Sequence, residues 1–203
     1  MLKNEKDFKM NFNVREANIL DAEKIASIYV TSWRESFSGL VEQEYLDNMT
    51  INSRTEVWKG ILKKEFCTTL VAEDQNSNVI GFISGGKFRS KKSCDSEIYA
   101  IYLLKEYQHL GIGKKLRNAL CRLLIRKGFK SLCVWIFKEN INNRSFFTKG
   151  SMKIDESEVK IGNQKLEEEC FYWKDMNDFF KKETSETKLA FLNLEKLQSL
   201  FQH

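Results

Sequence analysis

Apolar residues recur along the chain at two spacings, and the switches between them mark the expected elements. Residues 12–17 (FNVREA) alternate apolar and polar, the two-residue period of a strand. Asp21 then stands at an N-cap position, and Ile25, Ile28, Tyr29, Trp33 and Phe37 fall three or four residues apart, as the buried stripe of a helix does. A second helix is expected in TINSRTEVWKGILKK (50–64), capped by Thr50 or Asn52 and burying Val57, Trp58, Ile61 and Leu62. From Cys67 the period shortens toward two. CTTLVAED, VIGFISGGKF and SEIYAIYLL read as three consecutive strands of an antiparallel meander, separated by the turn QNSN and a polar break. A helix follows from Gly111 to Lys127, with Leu116, Leu120 and Leu124 on its apolar side and Gly128 as its stop. SLCVWIF (131–137) reads as a buried strand, residues 142–149 as a short helix, and 152–161 and 168–175 as two further strands.

After Met176 the pattern changes. NDFFKKETSETK is polar and linker-like, and Ala190, Leu194, Leu197 and Phe201 then recur at helical spacing. The expected organisation is one domain over 1–176 and a polar linker with an amphipathic helix over 177–203, the helix covering an edge, forming a homodimer or docking a partner. Composition adds exclusions. With 42% hydrophobic and 30% charged residues the chain is neither disordered nor membranous, and no apolar run approaches the roughly 18 residues that span a bilayer. The opening MLKNEKDFKM is too polar for a signal peptide, so a cytoplasmic location is expected. Five cysteines, with no CxxC pair and only His109 and His203 as imidazoles, predict reduced core thiols and no metal site. The basic run Lys87, Arg89, Lys91 and Lys92 is a solvated surface or a phosphate attractor; no recognition motif accompanies it, so no nucleic-acid partner is expected.

The candidate chemistry begins at EYQHLGIGKKL (106–116). A GxG between a buried strand and an amphipathic helix is either a tight turn or an anion site. At a helix start the backbone N–H groups lack intrahelical partners and the helix dipole is positive, while glycines admit a bulky phosphate. A dinucleotide fingerprint would need glycine at Leu116, and the spacing and GK[ST] ending of a Walker loop are missing. A pyrophosphate on a short QxxGxG turn remains.

The strand EIYAIYLL, the loop QHLGIG with its helix, and WIFKENINNRSFFTKGSMK, in that order and spacing, resemble the GNAT superfamily of acyl-CoA-dependent N-acyltransferases. DAEKIASIYVTSWRESFSGLVEQEYLDNM is similar to a bacterial small-substrate branch of it. The resemblance covers most of residues 11–175 and implies an α/β (α+β) fold. That fold has a mixed central sheet of six to seven strands flanked by about four helices, here with an added C-terminal helix. It further implies acetyl-CoA as co-substrate, no metal, and a small-molecule or protein amine as acceptor. The loop Gln108, His109, Leu110, Gly111, Ile112 and Gly113, with Lys114, would wrap the pyrophosphate. Backbone groups near Leu103 would pair with pantetheine in a wedge between two splayed strands, and Asn140, otherwise a helix cap, would reach the pantetheine arm.

An amine of pKa about 10.4 is neutral in only about one molecule in a few thousand at pH 7, so attack on the acyl group needs a base. Glu97 stands eleven residues before Gln108, the offset of the base glutamate in the histone-acetylating branch, and is expected to act through a water. A backbone N–H near Leu103 would steady the oxygen where charge develops. The family tyrosine seven residues after the Asn is Phe147 here, which leaves Tyr99, Tyr102, Tyr107 or water to protonate the thiolate. Trp33, Arg34 and Phe37 lie where the branch builds its acceptor pocket, although Trp33 and Phe37 also suit plain core packing. The expected activity is acetyl transfer to a primary amine by direct attack in a ternary complex. The competing reading is a catalytically weak acyl-CoA-binding module that docks a partner through its tail helix.

Overall fold

The computed structural model of the chain describes residues 11–89 and 94–180. Lys91, Lys92 and the stripe from Ala190 to Phe201 lie outside the described residues. Seven strands form one mixed sheet in the order β1-β2-β3-β4-β5-β7-β6. They are β1 Asn13–Glu16, β2 Cys67–Glu73, β3 Val79–Lys87, β4 Ser96–Leu103, β5 Leu132–Phe137, β6 Met152–Ile161 and β7 Gln164–Trp173. The expected meander is present: β1 to β4 pair antiparallel in sequence order. β4 and β5 pair parallel, across the α4 crossover, and β5-β7-β6 are antiparallel again.

Five α-helices are named among the described residues, α1 Ala22–Phe37, α2 Gln43–Asp47, α3 Ile51–Leu62, α4 Ile112–Arg126 and α5 Ile141–Thr148, with short 3-10 turns at Ile19–Asp21 and Lys105–Tyr107. They cover both faces because strand side chains alternate. On one face Leu70, Ile83, Ile98, Leu132 and Val134 pack with Ile112, Leu116, Leu120 and Leu124 of α4, and Phe147 of α5 joins them. On the other, Val71 and Phe82 meet Ile25 and Ile28 of α1 and Trp58 of α3. Farther along that face Trp33 and Phe37 of α1 pack with Leu166 of β7 and Phe137 of β5. Among the described residues no helix is long and apolar enough to cross a membrane.

Several expectations need correction. Asp21 makes no side-chain cap on α1; it closes the capping box that Asn18 opens one turn earlier, its Oδ2 accepting from the Asn18 N–H at 2.8 Å, and it also binds Arg15 through both oxygens at 2.8 Å. Thr50, not Asn52, caps α3. The last strand begins at Gln164, earlier than charge alone suggests, because antiparallel pairing with β6 holds the LEEEC stretch extended. Cysteines are not all reduced: Cys94 and Cys133 form a disulfide, with Cα atoms 6.4 Å apart, while Cys67, Cys121 and Cys170 are free. Spacing could not reveal that pair, since the loop before β4 brings Cys94 onto β5 across 39 residues of chain. Apart from these corrections, packing contacts extend a few residues beyond Met176: Phe179 lies against Trp173 at 5.3 Å, its ring tilted by 54°, and Arg117 and Arg122 of α4 lie over Phe179 and Phe180.

Candidate active site

The parallel pairing at the centre of the sheet is short. β4 and β5 are in register at Ser96–Leu132, Glu97–Cys133 and Ile98–Val134, after which β4 continues to Leu103 and β5 to Phe137 without pairing. The opening begins beside a bulge in β4 between Ala100 and Ile98, opposite Ser84 and Gly85. A central strand covered by helices should be its sheet's most buried, yet Tyr99 through Leu103 are only half-buried. The strand edge in this gap therefore carries main-chain donors and acceptors that β5 does not satisfy.

At the far end of that edge lies the glycine loop. Gln108 Nε2 donates to the Leu103 carbonyl at 3.1 Å and ties the loop back to β4. His109 (φ 60°) and Gly111 (φ 81°) both adopt left-handed backbone, which turns successive N–H groups toward one side. The first bond within α4 runs from the Lys115 N–H to the Gly111 carbonyl, so the N–H groups of Ile112 and Gly113 precede the helical ladder. The first turn of α4 has no acidic residue but holds Lys114 and Lys115. That is the reverse of what the helix dipole favours and becomes favourable when an anion lies against the helix end. A Cβ on Gly111 would meet nothing within 4 Å, which leaves the outward side of the cradle open. A Cβ on Gly113 would lie 3.3 Å from Leu103 and 3.6 Å from Phe146, so the helix end packs directly against the open strand and α5. These donors and this shape fit a diphosphate with an extended arm running into the gap.

The opposite face of the sheet carries carboxylates and aromatic rings. Glu97 is nearly fully buried and is held by Arg89. Oε2 accepts from the Arg89 backbone N–H at 3.3 Å and from Nε at 3.1 Å, and Oε1 accepts from Nη2. The guanidinium also lies 4.6 Å over the Tyr99 ring, and Glu97 raises the Arg89 pKa further. Through its register with Cys133, Glu97 shares a face with Trp135 and Phe137, the face of α1. Phe137 meets Phe37 at 5.2 Å and Trp33 at 6.3 Å, and Trp33 stacks on Tyr29 at 5.5 Å.

The loop residues 108–114 and Leu103 thus come together on the α4 side, and Glu97, Trp33 and Phe37 on the other. Trp33 and Phe37 are buried in the aromatic cluster beneath Phe137. Arg34 turns elsewhere: it donates to the carbonyls of Leu46 (3.3 Å) and Met49 (3.0 Å), fixing the segment that holds α2. Asn140 occupies the N-cap position of α5 but makes no side-chain cap bond there. Phe147 is buried in the α4 core against Phe146. Of the candidate proton donors, the Tyr99 hydroxyl donates to the Lys87 carbonyl, its pKa pushed up to about 12 chiefly by burial. Burial raises Tyr102 still further, within the aromatic cluster. Sequence reading missed Arg89, Trp135, Phe137 and Glu168 as site residues. Glu168 had one visible signal: with Leu166, Cys170 and Tyr172 it occupies alternate positions of β7, a carboxylate interrupting an apolar face.

Known proteins resemble this chain in sequence and in fold. The model of the acetyltransferase (GNAT) family matches residues 23–151. The uncharacterised N-acetyltransferase YuaI of Bacillus subtilis is 31% identical over 165 residues, 81% of this chain and 94% of that protein. Spermidine N(1)-acetyltransferase of Thermoplasma acidophilum is 23% identical over 153 residues, 73% and 92% of the two chains. The crystal structure of the PaiA N-acetyltransferase of Thermoplasma acidophilum, in complex with coenzyme A, has the same fold. Its TM-score is 0.64 at 24% identity, over 79% of this chain and 98% of that one. YncA of Salmonella typhimurium, solved with its cofactor acetyl-CoA, matches with a TM-score of 0.61 at 21% identity, over 81% and 94%. With a central sheet opened between β4 and β5 and a family model matching most of its length, the chain belongs to the GNAT family of acetyltransferases and is an acyltransferase.

Proposed function

We propose that the protein transfers an acetyl group from acetyl-CoA to a primary amine of a small molecule or protein, by direct attack while both substrates are bound. The observation that carries this reading is the end of β4–β5 pairing at Ile98–Val134, with a half-exposed central strand leading to an anion cradle. Bound acetyl-CoA supplies a thioester whose acetyl carbon is the electrophile. The N–H groups of loop 108–113 and the first turn of α4, with Lys114, hold the diphosphate. The open edge of β4 near Leu103 pairs with the pantetheine and donates an N–H to the acetyl oxygen. Asn140 contacts the pantetheine arm, and Phe147 supports that wall from the core.

Glu97 is the proposed base, acting through a water. A carboxylate offers about four acceptor sites, and Arg89 occupies three of them, so one site on Oε1 is left for that water. Trp33 and Phe37 back the acceptor pocket through Phe137, and Arg34 shapes its rim by fixing residues 46–49. The proposed compartment is the cytoplasm. The test is thiol release from acetyl-CoA with a panel of amines. The expected result is turnover that falls about 10²- to 10⁴-fold in Glu97→Gln with coenzyme A affinity unchanged. Coenzyme A binding without turnover of any amine would instead favour a binding module.

A further inference from the structure

The β6–β7 hairpin is rich in acids, and nearly all are neutralised. Glu156 pairs with Lys153 at 2.5 Å, Glu158 with Lys165 at 3.0 Å and Glu167 with Lys138 at 2.6 Å. Glu169 is held by Arg144 and Lys153. Glu168 is the exception: its side chain makes no hydrogen bond or ion pair among the described residues. It is half-buried, in register with Phe137 of β5 and Ser157 of β6, and so faces the same side of the sheet as Glu97 and the aromatic cluster. The charged groups that act on it are Arg89 and Glu97. Burial holds its carboxyl above the ordinary glutamate range, with Arg89 pulling it down and Glu97 pushing it up.

The charges on this face leave a remainder. Arg89 is committed to Glu97 and cancels it, whereas among the described residues the Glu168 side chain has no ion-pair partner of its own and feels Arg89 only at longer range. The reacting amine must be neutral to attack, so it cannot supply the missing cation at the moment of reaction. We propose that Glu168 is an acceptor-recognition residue that holds a second, unreacted ammonium group, so that the acceptor is a diamine or another molecule with a permanent second positive charge. Phe137, beside Glu168 in register, gives that molecule's hydrocarbon part an apolar wall. This rests on the acetyltransferase reading above and narrows its acceptor.

The experiment uses the full chain and compares 1,4-diaminobutane with butylamine, in wild type and in Glu168→Gln. Wild type should prefer the diamine by about tenfold or more in kcat/KM, the scale of one desolvated charge-assisted contact. Glu168→Gln should lose that preference through KM, with coenzyme A affinity unchanged. Calorimetry of 1,4-diaminobutane onto coenzyme A-saturated protein gives a readout independent of turnover: heat with wild type and about tenfold weaker binding with the variant. Glu168→Asp, which keeps the charge, should restore part of the preference and shows that an effect is not misfolding. Turnover of both amines with no diamine preference, or a preference that survives Glu168→Gln, overturns the proposal while leaving the acetyltransferase reading intact. Failure of wild type to bind coenzyme A or turn over either amine overturns both.

Discussion

Arg15 and Asp21 show how a residue's neighbours decide its task. Asp21 has the sequence position of a helix cap, but both its oxygens face the guanidinium of Arg15, which also reaches Glu73 on β2. The pair joins β1, β2 and the start of α1. The Arg15 hydrogen bonds hold the Asp21 carboxyl below its ordinary range against the cost of burial. A carboxylate depressed in the folded state adds stability above its unfolded value of about 3.9, and that stability is lost as pH falls through the lower folded value. Asp21→Asn should therefore cost about 1–3 kcal/mol at pH 7. Urea titrations should find the gap to wild type closing below about pH 3; a gap that is constant with pH would assign the loss to packing. Glu97 and Glu168 extend the lesson. Their numbers in the chain reveal neither that an arginine eight residues away neutralises one, nor that the other lies on the same face 71 residues later.

At the scale of elements, periodicity carried most of the fold. The stripes of α1, α3 and α4 and the alternation of β2 to β4 are local signals, and each element formed where its pattern stands. What failed was short or non-local. A five-residue α2 has too few turns to show a stripe, and β7 starts at Gln164 because β6 pairs with it, not because of its own composition. The glycine turn proposed as the cradle was legible for a different reason: Gly111 is required by a left-handed backbone at the start of α4, so conformation and sequence agree at one residue. Gly111→Ala meets no steric obstacle, and its cost is that of the left-handed conformation, about 1 kcal/mol. Calorimetry should find coenzyme A affinity reduced several-fold as the new methyl narrows the open side. Unchanged affinity would move the diphosphate away from this turn.

Across the whole molecule the two halves of the candidate site lie on opposite faces of one sheet, and this was the part least visible in sequence. The α4 helix covers the face that carries Ile98 and Val134, whereas Glu97, Phe137 and Glu168 look toward α1. Faces are set by register, and register is set by pairing between segments tens of residues apart. The Cys94–Cys133 disulfide belongs to the same level, tying the loop that precedes β4 to the strand beside Glu97.

The short run of parallel pairing at Ser96–Ile98 has a consequence for how the enzyme empties. β4 and β5 are joined only over this run, and the proposed coenzyme A cradle and acceptor wall lie on opposite faces of the sheet, so in the proposed mechanism each product leaves by the route its precursor entered. Spent coenzyme A should then act as a competitive product inhibitor against acetyl-CoA but a noncompetitive one against the amine, and the acetylated amine should show the mirror pattern. Parallel double-reciprocal lines, the mark of an acyl-enzyme formed before the amine binds, would contradict direct attack with both substrates bound on their separate faces.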